Sequence, residues 1–373
     1  MNAPRSFHPE AAPPPEDLPE GAPPSTDPSP RPPSLVVQTS FLGDVVLTTP
    51  LIRELASRGP VDVVTTPAAA PLLAGNPDIR HHFVFDKRGA HAGVGGLRRM
   101  AREIRDRTAA GGRGAAYLAQ GSLRSAALAL LAGYRERVGF DSSPGRVLYT
   151  RRVVHRDDRH HAERLWRLAG AAAPDGSPGP VALRPRLFPS AADAAAVDAL
   201  LGPDAAAPTI ALAPGSVWGT KRWPYYSELA RRLAPHARIV VVGGAADGEM
   251  AAAIEAAARD AARFGLVDAT GKLSLLASAE LIGRAAALVT NDSLPQHLAS
   301  AMGTPTVTIF GPTVPSFGFG PLAPGSRTAG LHALPCRPCH HHGPPRCPLK
   351  HWRCMRDLDV SRIEALLDTI TNR

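Results

Sequence analysis

Short, continuously apolar, β-branched runs recur along this chain, each separated from the next by a stretch of helical character. The first series is LVVQT (35–39), VDVVT (61–65), 82–85, 115–118 and 136–139, with helical stretches 45–58, 97–109 and 122–132 among them. The pattern restarts at TIALA (209–213), RIVVVG (238–243), ALVT (287–290) and PTVTIF (305–310). Helical stretches 225–234, 247–260 and 295–302 interleave these, and 360–371 closes the chain. A strand apolar on both faces needs cover on both faces, and an intervening helix supplies it, so the chain must build parallel sheets sandwiched by helices. Between the two series, PDGSPGPVALRPRLFPS (174–190) loosens into a connection. The fold reading is α/β: two doubly wound units in series, 34–185 and 186–373, facing a central cleft. Ligands are expected there, at the carboxyl ends of the strands.

At 373 residues the chain has room for two ordinary domains with full cores. Residues 1–33 hold 12 of its 39 prolines and almost nothing apolar. Such a segment cannot offset its ordering entropy by burial, so a disordered tail is expected. The tail carries −3 and the whole chain +9, which leaves +12 on the folded part. That balance favours an anionic partner: nucleic acid, a phosphorylated sugar or an acidic membrane face. Aromatic residues make up only 5% and the basic residues are dispersed, which argues against a nucleic-acid binder. No run of eighteen apolar residues exists, so no transmembrane segment is expected, and no secretory signal is visible at the start.

Three junctions in the second unit carry equipment for a nucleotide. In IALAPGSVWGTKRWP the strand ends at Pro214-Gly215, and Ser216, Thr220 and Lys221 follow in the loop. Two hydroxyls and a point charge there suit a phosphate, and a solvated loop is the bland reading of the same residues. In LVTNDSLPQHLASAMGTP, Ser293 or Leu294 opens a helix with Pro295 in its first turn and Gly303 at its end. The free N–H groups and positive dipole end would hold a diphosphate, although Asn291, Asp292 and Ser293 can also be simple caps. In VVVGGAADGE the glycines permit close approach, and Asp247 or Glu249 could meet a ribose hydroxyl. The first unit differs. Its opening turn, SFLGDVVLTTP, places Asp44 where a phosphate would otherwise sit. If Thr49 caps a helix beginning at Pro50, the Asp44 carboxylate stays free for acid–base work. If the helix starts at Asp44, the residue can be consumed as a cap.

Taken in order, these pieces resemble bacterial glycosyltransferase family 9, the heptosyltransferases that build the lipopolysaccharide inner core. The resemblance runs from residue 35 nearly to the end. It rests on SFLGDVVLTTPLIREL, PLLAGNPDI followed by FDKRG, QGSLRSA, RVGFD, APGSVWGTKRWP, TNDSLPQHLASAMGTPTVTIFGPT and PCRPCHHHGPPRCPLKHWRCM. FGFGP (317–321) leans towards the heptosyltransferase II branch, whereas Leu294 and Gln296 stand where the family usually has glycine and a small residue or methionine. The resemblance implies a GT-B architecture of two Rossmann-like domains, acceptor on the first and ADP-heptose on the second. It implies inverting transfer with no metal and no cofactor. Asp44 would be the general base and Lys221 would stabilise the ADP leaving group. Ser216, Thr220, Asp247, Asn291, Asp292, Ser293 and His297 would bind the donor. Lys87, Arg88, Gln120, Ser122 and Arg124, with the RHHAER stretch (159–164), are acceptor-side candidates for the anionic inner core. The implied place of work is the cytoplasm, peripheral to the inner membrane.

All four cysteines fall in 336–354, as Cys336, Cys339, Cys347 and Cys354. The spacing C-x2-C-x7-C-x6-C could wrap a tetrahedral zinc ion, with His340, His341, His342 and His351 as spare ligands. The same pattern recurs in the resembled family without a catalytic metal, so no metal residue is assigned.

Overall fold

The computed structural model of this protein describes residues 32–108, 112–170, 178–202 and 208–371. The expected tail therefore falls outside the described residues except for Pro32 and Pro33. Pro33 is buried and its carbonyl accepts the Gly114 amide at 3.0 Å, so it belongs to the fold. The described strands form two six-stranded, wholly parallel sheets. The first holds β1 (Ser34–Val37), β2 (Val61–Thr65), β3 (His81–Val84), β4 (Ala115–Leu118), β5 (Glu136–Phe140) and β6 (Arg151–Val153), ordered β3-β2-β1-β4-β5-β6. The second holds β7 (Thr209–Ala213), β8 (Arg238–Val241), β9 (Leu266–Asp268), β10 (Ala287–Asn291), β11 (Thr306–Ile309) and β12 (Arg327–Ala329), ordered β12-β11-β10-β7-β8-β9. Strand order reverses between β1 and β4 in one sheet and between β7 and β10 in the other. These two reversals open the crevices in which doubly wound sheets take ligands.

The alternation within each strand explains the two-sided cover. Leu35 and Val37 of β1 join Val64, Phe83 and Leu118 on one face, while Val36 joins Val63 and Tyr117 on the other. In β7, Ile210 and Leu212 face one core, and Ala211 and Ala213 face the next. Each fully buried Val, Ile or Leu contributes about 1.5–3 kcal/mol. The strands absent from the sequence reading, β6, β9 and β12, have three residues each and contain a charged residue (RRV, LVD, RTA), so no apolar run marks them.

The helix after β1 rules out one of the two starts considered for it. It spans Leu42–Ala56 and passes straight through Pro50, so Thr49 is not the cap of a helix beginning there. Proline has no N–H for the carbonyl four residues back, and the Thr49 hydroxyl serves that Val46 carbonyl instead, at 2.8 Å. The same hydroxyl accepts the Arg186 amide at 3.0 Å, and Arg53 donates to the Val181 and Ala182 carbonyls at 2.9 and 2.6 Å. The connection between the two sheets is thus fastened to this one helix. Val46 shares a buried cluster with Leu298 and Ala299 of the helix Leu294–Met302. Gly43 lies so close to the His297 ring that a Cβ would meet it at 2.8 Å. The helices that start at the two crevices therefore touch at their first turns.

Candidate active site

The β7/β10 crevice opens into a cavity of about 370 Å³. Val242, Leu273, Leu275 and Leu298 give it an apolar wall, and Gly215, Gly243 and Gly244 let the backbone close in. Asp247 lines it, with one carboxylate oxygen accepting the Gly244 amide at 2.9 Å. Ser216 and Ser293 line it as well. Ser293 is the N-cap of Leu294–Met302 but makes no side-chain cap bond, so that helix start stands open to the cavity. An apolar wall beside glycines and a free helix N-terminus can take a base, a ribose and a diphosphate in that order.

The other donor-side candidates stand behind this lining. Asn291 is fully buried, donates to the Pro214 carbonyl at 2.7 Å and accepts the Trp223 amide at 3.2 Å. It binds the ends of β10 and β7 together and so sets the crevice width. Lys221 is buried with Nζ 2.6 Å from Oδ2 of Asp292. Asp292 also accepts Thr313 Oγ1 at 2.7 Å and Gln296 Nε2 at 3.1 Å. A segment of the cysteine-rich region lies over this pair: Gly343 packs on the Lys221 stem and the Thr220 hydroxyl donates to the Pro344 carbonyl. Arg222 was missed by sequence reasoning although it is the cation that lines the cavity. Its Nε donates to the Ser216 carbonyl at 2.9 Å, and only its place next to the conspicuous Lys221 hinted at it.

Asp44 sits in the first turn of Leu42–Ala56, whose N-cap Phe41 makes no side-chain cap bond of its own, and the Asp44 carboxylate takes a hydrogen bond from the Phe41 backbone at that helix start. Its Oδ2 accepts the Ser40 hydroxyl at 2.9 Å, and its Oδ1 lies 3.8 Å from His161 Nε2. Burial pushes the carboxyl up to about 6, against partial relief from the Ser40 and Phe41 hydrogen bonds. A carboxylate with that affinity is ionised at neutral pH and still takes a proton readily. His297 joins the two halves of the site. It touches Gly43 on one side and feels the charges of Asp292 and Lys221 on the other, and burial lowers its imidazole to about 4.

A second pocket of about 550 Å³ opens at the carboxyl ends of β1, β2 and β3. Lys87, Arg88 and Gln120 line it together with Ser40 and Phe41, which connects it to Asp44. Ser122 and Arg124 play supporting parts instead. Ser122 caps the helix Leu123–Leu131 by accepting the Ser125 amide at 3.1 Å. Arg124 donates to the carbonyls of Lys87, His91 and Gly93 at 3.2, 2.7 and 3.4 Å, clamping the loop that carries Lys87 and Arg88.

The model of glycosyltransferase family 9 (heptosyltransferase) matches residues 98–352. The chain belongs to glycosyltransferase family 9. Lipopolysaccharide heptosyltransferase 2 of Salmonella typhimurium is 28% identical to it over 297 residues, covering 76% of this chain and 84% of that protein. Lipopolysaccharide heptosyltransferase 1 of Pseudomonas aeruginosa is 29% identical over 320 residues, covering 82% and 85%. A solved structure of the Escherichia coli ADP-heptose lps heptosyltransferase II is 25% identical with a TM-score of 0.74, covering 91% of this chain and 98% of that one. The expected GT-B arrangement of two Rossmann-like domains is thereby found in this family 9 glycosyltransferase. Asp44 precedes the span matched by the family model, so the case for it rests on its surroundings.

The family 9 chain keeps its four cysteines as free thiols. Cys354 is buried with Met355 and Leu358 in the core of the second sheet, and burial pushes its thiol up to about 11. Cys336 lies 3.9 Å from His351 Nε2. Among the described residues, no group of three or more His, Cys, Asp or Glu side chains closes on one point, so the tetrahedral site suggested by the spacing is not formed there. Arg337 holds the segment in place by donating to the Phe310, Gly311 and Thr313 carbonyls after β11 and to the Leu331 carbonyl after β12.

Proposed function

We propose that the protein transfers a heptose from ADP-L-glycero-D-manno-heptose to the lipopolysaccharide inner core, with inversion, as a type II heptosyltransferase. The observation that carries this reading is the opposition of two groups across one cleft. The glycine- and leucine-lined cavity ends at the open helix start near Ser293, and the Asp44 carboxylate sits at the touching helix start of the other sheet. In this reading, residues 34–185 seat the acceptor and residues 186–373 the donor. The acceptor hydroxyl loses its proton to Asp44 as its oxygen bonds to the anomeric carbon. The bond from that carbon to the diphosphate oxygen breaks on the opposite face, which inverts the centre. The electron pair leaves with ADP, and its new charge falls on the helix start, Arg222 and the Lys221 ammonium. Asp247 holds the ribose, while Asp292 and His297 orient the sugar. The relatives named heptosyltransferase 1 and 2 differ little in identity, so the acceptor branch rests on FGFGP. The second reading keeps the family but changes the nucleotide sugar or the surface-glycan acceptor.

Thermal melting with a panel of nucleotide sugars tests the donor. ADP-heptose at about 100 times its dissociation constant adds roughly 2.7 kcal/mol and should raise the Tm by several degrees. A larger rise with another sugar nucleotide would replace the donor, and a response to oligonucleotides alone would overturn the reading.

The same reading puts the enzyme at the cytoplasmic face of the inner membrane as a peripheral protein. Among the described residues no helix is long and apolar enough to cross a membrane. The helices Gly93–Arg107 and Leu123–Leu131 follow the segments that bring Arg88 and Gln120 to the second pocket. They expose Val94 and Leu123 beside Arg98, Arg102 and Arg105, which suits an anionic lipid surface. Arg98→Ala/Arg102→Ala should weaken binding to vesicles rich in phosphatidylglycerol by about 30-fold, at about 1 kcal/mol per arginine. Unchanged co-sedimentation would move the membrane face elsewhere.

A further inference from the structure

His161 is the first residue of the helix His161–Arg167, and that helix start is pinned from several sides. The His161 amide donates to the Gly318 carbonyl at 2.7 Å. His160, the N-cap, accepts the Ala162 amide at 3.1 Å with Nδ1 and bonds the Gly320 carbonyl at 3.0 Å through Nε2. Arg164 donates to the Phe317 carbonyl at 2.7 Å. The His161 ring lies on Phe319, with centroids 4.9 Å apart and planes 30° apart. Its position is therefore over-determined by FGFGP, the stretch that leans towards one branch of the family.

The fixed ring points Nε2 at the Oδ1 atom of Asp44, 3.8 Å away, while Ser40 already occupies Oδ2. Nδ1 is buried and has no hydrogen-bond partner. A buried orphan N–H is rarer than a buried orphan lone pair. The favoured tautomer therefore leaves the lone pair on Nδ1 and puts the proton on Nε2, facing the carboxylate. Besides Asp44, the charged or titratable groups around the ring are His155, His160 and Arg164 from its own segment and His297 from the helix Leu294–Met302. Together with burial they hold the imidazole neutral across the working pH range.

We propose that neutral His161 is the positioning residue for Asp44, its Nε2–H closing on Oδ1 when the acceptor fills the cleft. The distance exceeds a formed hydrogen bond, as is common before substrate tightens a site. Once made, the bond fixes the carboxylate plane, leaves one oxygen edge for the acceptor hydroxyl and favours the ionised form. This proposal rests on the reading of Asp44 as the base.

His161→Phe keeps a ring on Phe319 but removes the donor, whereas His161→Gln keeps an N–H donor. In His161→Phe, kcat should fall by about 10- to 100-fold, the cost of a misplaced reacting group. The KM for ADP-heptose and the melting temperature should stay near wild type. The acid limb of the kcat profile, which reports the occupied site, should move to higher pH, because a carboxylate that loses a donor binds its proton more tightly. His161→Gln should recover most of kcat and return the limb. A His161→Phe enzyme with wild-type kcat and an unmoved limb overturns the proposal, and so do equal losses in both variants accompanied by a lower melting temperature. Asp44→Asn, assayed alongside, separates the two levels. An inactive Asp44→Asn with an unaffected His161→Phe overturns the His161 role alone, and an active Asp44→Asn overturns both.

Discussion

Asparagine at position 44 should nearly abolish transfer while making the protein more stable at neutral pH. The substitution keeps the size of the side chain and the Ser40 contact but removes the proton acceptor. Turnover should fall by roughly 100- to 10,000-fold, the usual worth of general base catalysis. Donor affinity should hold, since the cavity proposed for the nucleotide is lined from the other sheet. Stability moves the other way for an electrostatic reason. Burial raises the Asp44 carboxyl from 3.8 to about 6 in the folded protein. The folded state therefore binds this proton more tightly than the unfolded chain does. The group's contribution to stability is fully present below about 3.8 and is lost as pH rises through about 6, leaving a deficit of about 3 kcal/mol at pH 7.5. The favourable interaction of a first-turn carboxylate with the helix dipole, about 0.3–1 kcal/mol, is too small to reverse the sign. Asp44→Asn should thus melt several degrees above wild type at pH 7.5 and close to it at pH 4, and wild-type kcat/KM should fall off below about pH 6. An active Asp44→Asn enzyme would end the general-base assignment. A variant less stable at pH 7.5 would show that the carboxylate serves the helix instead.

The strands inside each sheet could be read from sequence because burial on both faces demands runs of four or more residues dominated by β-branched and apolar side chains, as in LVVQT, VDVVT and RIVVVG. Edge strands carry no such demand. RRV, LVD and RTA pair on one side only and are partly exposed, so β6, β9 and β12 left no signal. Pro50 left the start of its helix open between two readings for a different reason. Proline usually marks a helix start, and the hydroxyl that lets this helix run on belongs to the preceding residue. For the site, local motifs located Ser216, Asp247 and Ser293 on the cavity wall and Lys87, Arg88 and Gln120 in the second pocket. Sequence could not tell lining residues from supporting ones. Asn291, Thr220 and Ser122 are polar residues in the right loops, yet their hydrogen bonds are spent on neighbouring chain. The approach of His161 to Asp44 was out of reach altogether, since 117 positions separate them and only the packed fold brings them to 3.8 Å.

Lys221→Ala should cost both stability and turnover, and separating the two losses decides what the lysine does. Lys221 and Asp292 are a buried pair at 2.6 Å. Removing the ammonium leaves Asp292 with the Thr313 and Gln296 donors but no cation, and breaking a buried pair from one side costs about 3–5 kcal/mol. The packing of Gly343 on the lysine stem goes too. If the ammonium also stabilises departing ADP, turnover should fall by about 100- to 1,000-fold, the range for a preorganised group aimed at developing charge. The double variant Lys221→Met/Asp292→Asn resolves the overlap. It replaces both charges with neutral groups of similar volume, so the melting temperature should return most of the way, because losing both members of a buried pair is far milder than losing one. Turnover should not return with it, and the stabilisation conferred by ADP-heptose should stay below wild type. Lysine and aspartate would then act as a unit, the carboxylate holding the ammonium where the diphosphate charge develops. A double variant that regains turnover together with stability would assign the pair to the fold and leave Arg222 and the helix start at Ser293 to carry the leaving group.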